Sequence, residues 1–223
     1  MWSATDKLIR RRQQPRSRLC IGLDPDERFL PAPLRNETQP WRRFLREIIS
    51  ATSPFACAYK LNLTFYEQFG SAGWSLLEDA LSAIPADIAV IVDRKFNDVP
   101  HTAEIAARTF FERLGVDAVT VNPLLGADSV APFLQYAGKL VFVLAWTSNA
   151  GSSEFLGLPC ERGEPLAVRI VLAAQSWSRN AELGFVVGAT VPQELRRIRL
   201  HAPNTWILSP GIGAQGGTSD ALL

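Results

Sequence analysis

The stretch "DIAVIVDRKF", residues 87–96, runs apolar through Val92 and then presents Asp93, Arg94 and Lys95 in succession. An unbroken apolar, mostly β-branched run suits a strand covered on both faces, as in a parallel sheet, better than a strand with one face in water. Its charges gather at the C-terminal end, where the strand either opens on a site or runs out into solvent. Side chains along a strand alternate sides, so Asp93 and Lys95 are expected together and Arg94 opposite them. Asp98 comes three residues after Lys95, beyond the strand.

Working outward, the same kind of run recurs on both sides. Strands are expected in "SRLCIGLD" ending at Asp24, "FACAYKLN" ending at Asn62, "DAVTVNP" ending at Pro123, "LVFVLAWTS" ending at Ser148, "GFVVGAT" ending at Thr190 and "TWILSPGI" ending at Ile212. Between them, "WRRFLREIISA", "FYEQFGSAGWSLLEDALSAI", "TAEIAARTFFERLG", "SVAPFLQYA", "PLAVRIVLAAQSWSRNAELG" and "PQELRRIRLHA" each carry the apolar stripe of a helix lying on a sheet. Asp128 and Thr190 are placed to cap two of these helices, with Pro192 in the first turn of the last.

This alternation predicts an α/β protein with a parallel sheet, and rhythm alone allows a doubly wound sheet or a TIM barrel. Polar residues at nearly every strand's C-terminal end favour the TIM (β/α)8-type barrel, because that rim carries the active sites of barrels. The 223 residues are expected to form a single domain. A closed barrel needs eight strands and typically about 250 residues. The chain stops at Leu223, shortly after the seventh strand, so the eighth βα unit is expected to be missing.

A net charge of +1 gives no global field directed at nucleic acid or an anionic membrane, so anion binding has to be local. The basic stretch "KLIRRRQQPRSR" near the N-terminus reads as a solvated first helix with its exit loop. Cys20, Cys57 and Cys160 are widely spaced and odd in number, and His101 and His201 stand apart from them. Neither a disulfide framework nor a zinc site follows from that arrangement, and a reducing, cytoplasmic compartment fits it. No run approaches the roughly 18 apolar residues of a membrane helix.

Two more charged residues end neighbouring strands: Asp24 the first and Lys60 the second. Charges gathered on one rim must neutralise one another or bind something. A structural ion-pair network and an active site are the two readings, and four charged strand ends favour the site. After the seventh strand, "SPGIGAQGG" at 209–217 has the glycines that let backbone N–H groups form a nest for phosphate, although a ligand-free turn would look alike. The segment "SNAGSSEFLGLPCERGEP", 148–165, is long for a simple connection and reads as a lid or as a plain surface loop.

Seven elements together resemble the orotidine 5′-phosphate decarboxylase family. They are "IGLDPD" (21–26), "YKLNLTFYEQFG" (59–70), "DRKFNDVPHT" (93–102), "VTVNPLLGADSV" (119–130), "TSN" (147–149), "VVGAT" (186–190) and "SPGIGAQGG" (209–217). They cover nearly the whole chain in the family's order, and the "TSN" and "KLNLTFYEQFG" forms resemble a bacterial subgroup. The resemblance implies decarboxylation of orotidine monophosphate to uridine monophosphate, the last step of de novo pyrimidine nucleotide synthesis. It implies a TIM barrel, a homodimer, no cofactor and no metal.

Carried over residue by residue, Lys60, Asp93 and Lys95 become charged catalytic groups of one subunit, while Asp98, also catalytic, and Thr102 reach into the partner's site. Asp24 would meet ribose hydroxyls and Ser148 the pyrimidine amide edge. Gln215 would hold phosphate, with the N–H groups of Gly216 and Gly217 nearby, and the loop after Ser148 would be the lid. His101 stands where many members have asparagine. The family's phosphate-gripping arginine belongs to the end of the eighth strand, past Leu223.

Two alternatives stand beside this reading. One is a magnesium-dependent sugar-phosphate decarboxylase or aldolase, which shares the D-x-K-x-x-D pattern but would need an acidic ligand where Lys60 stands. The other is a non-catalytic, truncated barrel that binds nucleotide phosphate.

Overall fold

The computed structural model describes residues 2–160 and 163–212. Seven parallel strands follow one another in a single sheet: β1 (Cys20–Gly22), β2 (Ala58–Asn62), β3 (Ala89–Phe96), β4 (Ala118–Val121), β5 (Leu140–Trp146), β6 (Glu182–Val187) and β7 (Trp206–Leu208). Hydrogen-bonded neighbours keep strict chain order from β1 to β7. A doubly wound sheet must reverse its strand order at a switch point, so this order is that of the TIM-barrel class.

The chain divides into two compact units, Met1–Arg94 with Arg108–Val119 and Lys95–Ala107 with Thr120–Leu223. In the first, helix α1 (Ala4–Gln13) starts at a reciprocal cap, Ser3 accepting from the Asp6 N–H while the Asp6 carboxylate accepts from the Ser3 N–H. Helix α2 (Pro40–Thr52) buries Trp41, Leu45 and Ile49, spaced four apart along one stripe. The segment expected as one helix from 65 to 84 is two, α3 (Leu63–Glu67) and α4 (Ser71–Ala83). Gly70 between them has φ 57°, in the left-handed region that a helix cannot pass through.

Helix α1 is not simply a solvated arm. Lys7 places its ammonium 2.9 Å from the Asp117 carboxylate, and Asp117 also accepts the Val90 N–H at 2.9 Å. Arg11 donates to the carbonyls of Ala56 and Ser53. One face of the helix therefore closes the N-terminal ends of the strands in this unit.

In the second unit all seven residues of β5 are buried, as expected for a strand covered on both faces. Helix α5 (Pro100–Arg108) continues into a wider π-type turn at Thr109–Arg113, at the start of the other unit's segment. Helices α6 (Ala127–Leu134), α8 (Leu166–Ser176) and α9 (Pro192–His201) bury Phe133 and Leu134, Val168 and Val171, and Ile198. Two expected caps are corrected here. Helix α6 begins two residues earlier than expected, with Gly126 as its boundary, so Asp128 lies in its first turn and accepts the Ser129 N–H. Thr190 spends its hydroxyl on the Ser148 carbonyl, leaving Val191 as the boundary before Pro192.

The described residues of the segment 148–165 carry local structure of their own. The segment contains a short 3₁₀ turn, Ala150–Ser152, the one-turn helix α7 (Ser153–Leu156), and an antiparallel bridge from Pro159 to Pro165. The indole N–H of Trp146 ties its start to the Ser152 hydroxyl at 3.0 Å.

Candidate active site

In the first unit the ends of β1, β2 and β3 bring three charges together. Register sets Gly22 beside Lys60 and Asn62 beside Asp93. The Lys60 ammonium lies 3.6 Å from Asp24 Oδ2 and 3.6 Å from Asp93 Oδ2. Asp93 is buried, at 8% exposure, so its charge needs this cationic company.

The surrounding backbone holds Asp24 in place. Beyond β1 the Leu23 N–H donates to the Lys60 carbonyl, and the Asn62 N–H donates to Asp24 Oδ1 at 3.0 Å. Asn62 then turns strand into helix, its side-chain oxygen accepting the Thr64 N–H at the start of α3. Within α3, Tyr66 donates its hydroxyl to the Leu23 carbonyl at 2.8 Å, and Gln68 just beyond it donates to the Pro25 carbonyl. Burial first, and the Asp24 charge second, push the Tyr66 phenol far above its ordinary value, which keeps it a donor.

Sequence reading missed Tyr66 as a support of the site. The available signal was its place, four residues past Asn62 on a helix that must fold back over β1.

Below this cluster, burial pushes the Cys20 thiol up to about 12, with the Lys60 charge opposing and Cys57, Asp24 and Asp93 adding to it. Cys20 is thus held as a neutral thiol near neutral pH.

Other expected residues are placed as follows. Arg94 pairs with Glu67 at 3.1 Å, apart from the trio. Lys95 has φ 52°, so the strict alternation expected from an extended strand does not hold at that residue. Its N–H donates to the Thr120 hydroxyl at 2.9 Å. Asp98 is exposed before α5 and caps the adjacent Val99 N–H at 2.8 Å, and Thr102 is exposed on α5 itself. Ser148 follows β5 and is packed so closely that a Cβ on Gly188 would sit 2.7 Å from its Cα. Gln215, Gly216 and Gly217 lie outside the described residues.

A carboxylate just past the first strand, a lysine on the second and a carboxylate on the third form a charge set suited to an anionic substrate held near alternating charges. The profile of the family described as Orotidine 5'-phosphate decarboxylase / HUMPS family matches residues 17–222. The chain belongs to that family.

Among its relatives, the orotidine 5'-phosphate decarboxylase of Herpetosiphon aurantiacus is 44% identical over 209 residues, covering 93% of this chain and 78% of the relative. That of Thermomicrobium roseum is 46% identical over 206 residues, covering 92% and 73%. Among solved structures, the Leishmania donovani OMP decarboxylase superposes with a TM-score of 0.84 at 39% identity, covering 94% of this chain and 80% of that one. The Leishmania donovani UMP synthase gives 0.90 at 39% identity, with 99% of this chain matching 47% of a longer one. The family's decarboxylases therefore share the α/β barrel order seen here.

Proposed function

We propose that this chain is a carboxy-lyase that converts orotidine monophosphate to uridine monophosphate and carbon dioxide without a cofactor, as one barrel domain. The observation that carries the reading is the Asp24–Lys60–Asp93 cluster at the strand ends of a family member. Loss of carbon dioxide leaves an electron pair on the ring carbon, and in the absence of an electron sink the stabilisation must come from fixed charge. Lys95 is assigned to supply that charge and then to protonate the carbon.

Asp93 is assigned to face the substrate carboxylate. Two unit charges about 4 Å apart at an effective dielectric near 20 repel by roughly 4 kcal/mol, and the repulsion is relieved as carbon dioxide departs. Lys60 holds Asp93 and Asp24 in register, with Asp24 presented to the ribose hydroxyls and Ser148 to the pyrimidine edge. Gln215, Gly216 and Gly217 are assigned to the phosphate, and the segment after Ser148 to closure over it. Binding energy from the remote phosphate then holds the ring in its unfavourable electrostatic position.

A magnesium-dependent relative would place an acidic ligand on β2. Here β2 carries Lys60, whose ammonium already balances both carboxylates, which favours the decarboxylase.

The test is to incubate the protein with orotidine monophosphate and follow the change in ultraviolet absorbance on conversion to uridine monophosphate. Turnover that persists in chelator and disappears in Lys95→Ala is the expected result. An unchanged spectrum from folded wild-type protein overturns the reading.

The working assembly under this reading is a cytoplasmic homodimer in which Asp98 and Thr102 serve the partner's site. Among the described residues no helix is long and apolar enough to cross a membrane. Mixing inactive Asp98→Asn and Lys95→Ala proteins should restore activity, because one site of each heterodimer collects both defects and the other is intact. No recovery on mixing would place Asp98 in its own subunit's site.

A further inference from the structure

Lys95 has a backbone that its side chain disfavours. Only it and Arg16 among the described non-glycine residues have positive φ, and Lys95 does so at 52° near the end of β3. A residue with a Cβ enters this region against steric resistance and stays there only when its surroundings hold it. The turn changes where the lysine side chain leaves the strand, so its ammonium is delivered from a direction that an extended residue would not provide.

The surroundings that hold it are specific. The Lys95 N–H donates at 2.9 Å to the hydroxyl of Thr120, 25 positions away in sequence, on β4. Thr120 is 1% exposed, so the acceptor of this part-buried hydrogen bond is shielded from water although Lys95 itself is exposed. One residue further, the Asn122 N–H donates to the Phe96 carbonyl at 2.8 Å, so Lys95 is fixed on its own N–H and through the next residue's carbonyl. Replacing the hydroxyl by a methyl group would leave the N–H of a strained residue facing an apolar surface, which removes the reason for the left-handed conformation.

We infer that Thr120 is a positioning residue for Lys95: its buried hydroxyl anchors the lysine backbone in the left-handed conformation from which the ammonium reaches the reacting carbon. Thr120 does not itself touch the substrate. The inference rests on the decarboxylase reading for the ammonium's task, and on geometry alone for the anchor.

Thr120→Val is nearly isosteric and removes the acceptor, and Thr120→Ser keeps it. A displacement of about 1 Å at a reacting group costs on the order of 100-fold in rate. Thr120→Val is therefore expected to lower kcat between about 10-fold and 100-fold, with KM for orotidine monophosphate nearly unchanged and the thermal midpoint modestly lowered by the unsatisfied N–H. Thr120→Ser is expected to recover most of the lost kcat.

Amide hydrogen exchange at Lys95, read by NMR on the folded proteins, is the companion measurement. It should speed up in Thr120→Val and not in Thr120→Ser. A Val variant with wild-type kcat, or with unchanged Lys95 exchange, overturns the inference, as does a loss of kcat that serine fails to rescue. If the Val variant does not fold, Thr120→Ala is measured in the same way and read by the same outcomes. If wild-type protein does not turn over orotidine monophosphate, the decarboxylase reading falls, and the exchange data still decide whether Thr120 anchors Lys95.

Discussion

Two charged clusters lie in the same unit at opposite ends of the strands, and they are built differently. At the N-terminal ends, the Lys7 ammonium is 2.9 Å from each oxygen of the Asp117 carboxylate, which also accepts the Val90 N–H. At the C-terminal ends, Lys60 stands 3.6 Å from Asp24 and 3.6 Å from Asp93. The first is a closed pair whose geometry repays part of its desolvation through short, directed bonds. The second keeps one cation in the field of two carboxylates at a separation too long for a strong hydrogen bond with either. A cluster of that kind contributes less to holding the fold and leaves its charge able to act on a third anion.

The largest effect that tests this contrast is on the rim. Asp93→Asn keeps the shape and removes the charge. The expected outcome is a fall in kcat/KM of about 1,000-fold or more, equivalent to about 4 kcal/mol of transition-state stabilisation, with a thermal midpoint at or slightly above wild type. Active sites commonly trade stability for function in this way. Steady-state kinetics beside a melting curve checks both halves, and a large loss of stability with activity retained per folded molecule would reverse the assignment.

Asp117→Asn is the mirror experiment. It retains an oxygen for the Val90 N–H but removes the charge facing Lys7, which is part-buried with 14% of its side chain exposed. Leaving that ammonium without its partner is expected to cost about 2–3 kcal/mol, at or below the bottom of the range of roughly 3–5 kcal/mol for fully buried pairs because Lys7 is only part-buried. Urea unfolding should show a lower midpoint at unchanged slope, while kcat of the folded fraction stays at the wild-type value. A change in kcat would mean that the N-terminal cluster communicates with the rim.

The two clusters were not equally legible in the sequence. Asp24, Lys60 and Asp93 could be read because each ends an apolar run, and a parallel α/β order puts strand ends on one rim. Lys7 could not, because a basic amphipathic stretch looks solvated until its partner, Asp117, more than a hundred residues away, is known. Lys95 shows a different limit. The alternation rule assumes an extended backbone, and φ 52° violates it for a reason located on another strand. Thr120 passed unnoticed inside "VTVN" because a β-branched residue in a strand requires no explanation.

Helix boundaries failed where one residue's hydrogen bond decided them. With Gly126 as its boundary α6 starts two residues early, leaving Asp128 to accept the Ser129 N–H inside the first turn, and Thr190 bonds to Ser148 instead of to its own helix. The glycine-rich segment proposed to hold phosphate lies from Gly213 onward outside the described residues, so that assignment rests on the sequence.

The smallest effect separates the clusters by the thiols near them. Near α1, Cys57 lies 3.8 Å from the Leu8 carbonyl, and burial raises its thiol while Arg11 and Arg12 oppose. Under the rim, Cys20 is pushed from 9.0 to about 12 by burial, with Lys60 opposing but two carboxylates adding to the shift. Because the folded value lies above the unfolded one, the unfolded chain releases this proton first as pH rises. The stability held by the neutral Cys20 thiol is complete below pH 9 and is lost progressively as pH climbs from 9 toward 12.

At pH 10 the loss amounts to about 1 kcal/mol. Cys20→Ala should flatten that part of the alkaline stability curve, measured by urea unfolding between pH 8 and pH 10.5, with Cys57 still contributing its own slope. Combining Cys20→Ala with Asp93→Asn sharpens the comparison, since removing one of the two carboxylates that raise Cys20 lowers its folded value and shrinks the effect that Cys20→Ala can abolish. Combining it with Asp117→Asn should leave the slope assigned to Cys20 unchanged, because that charge lies at the other end of the strands.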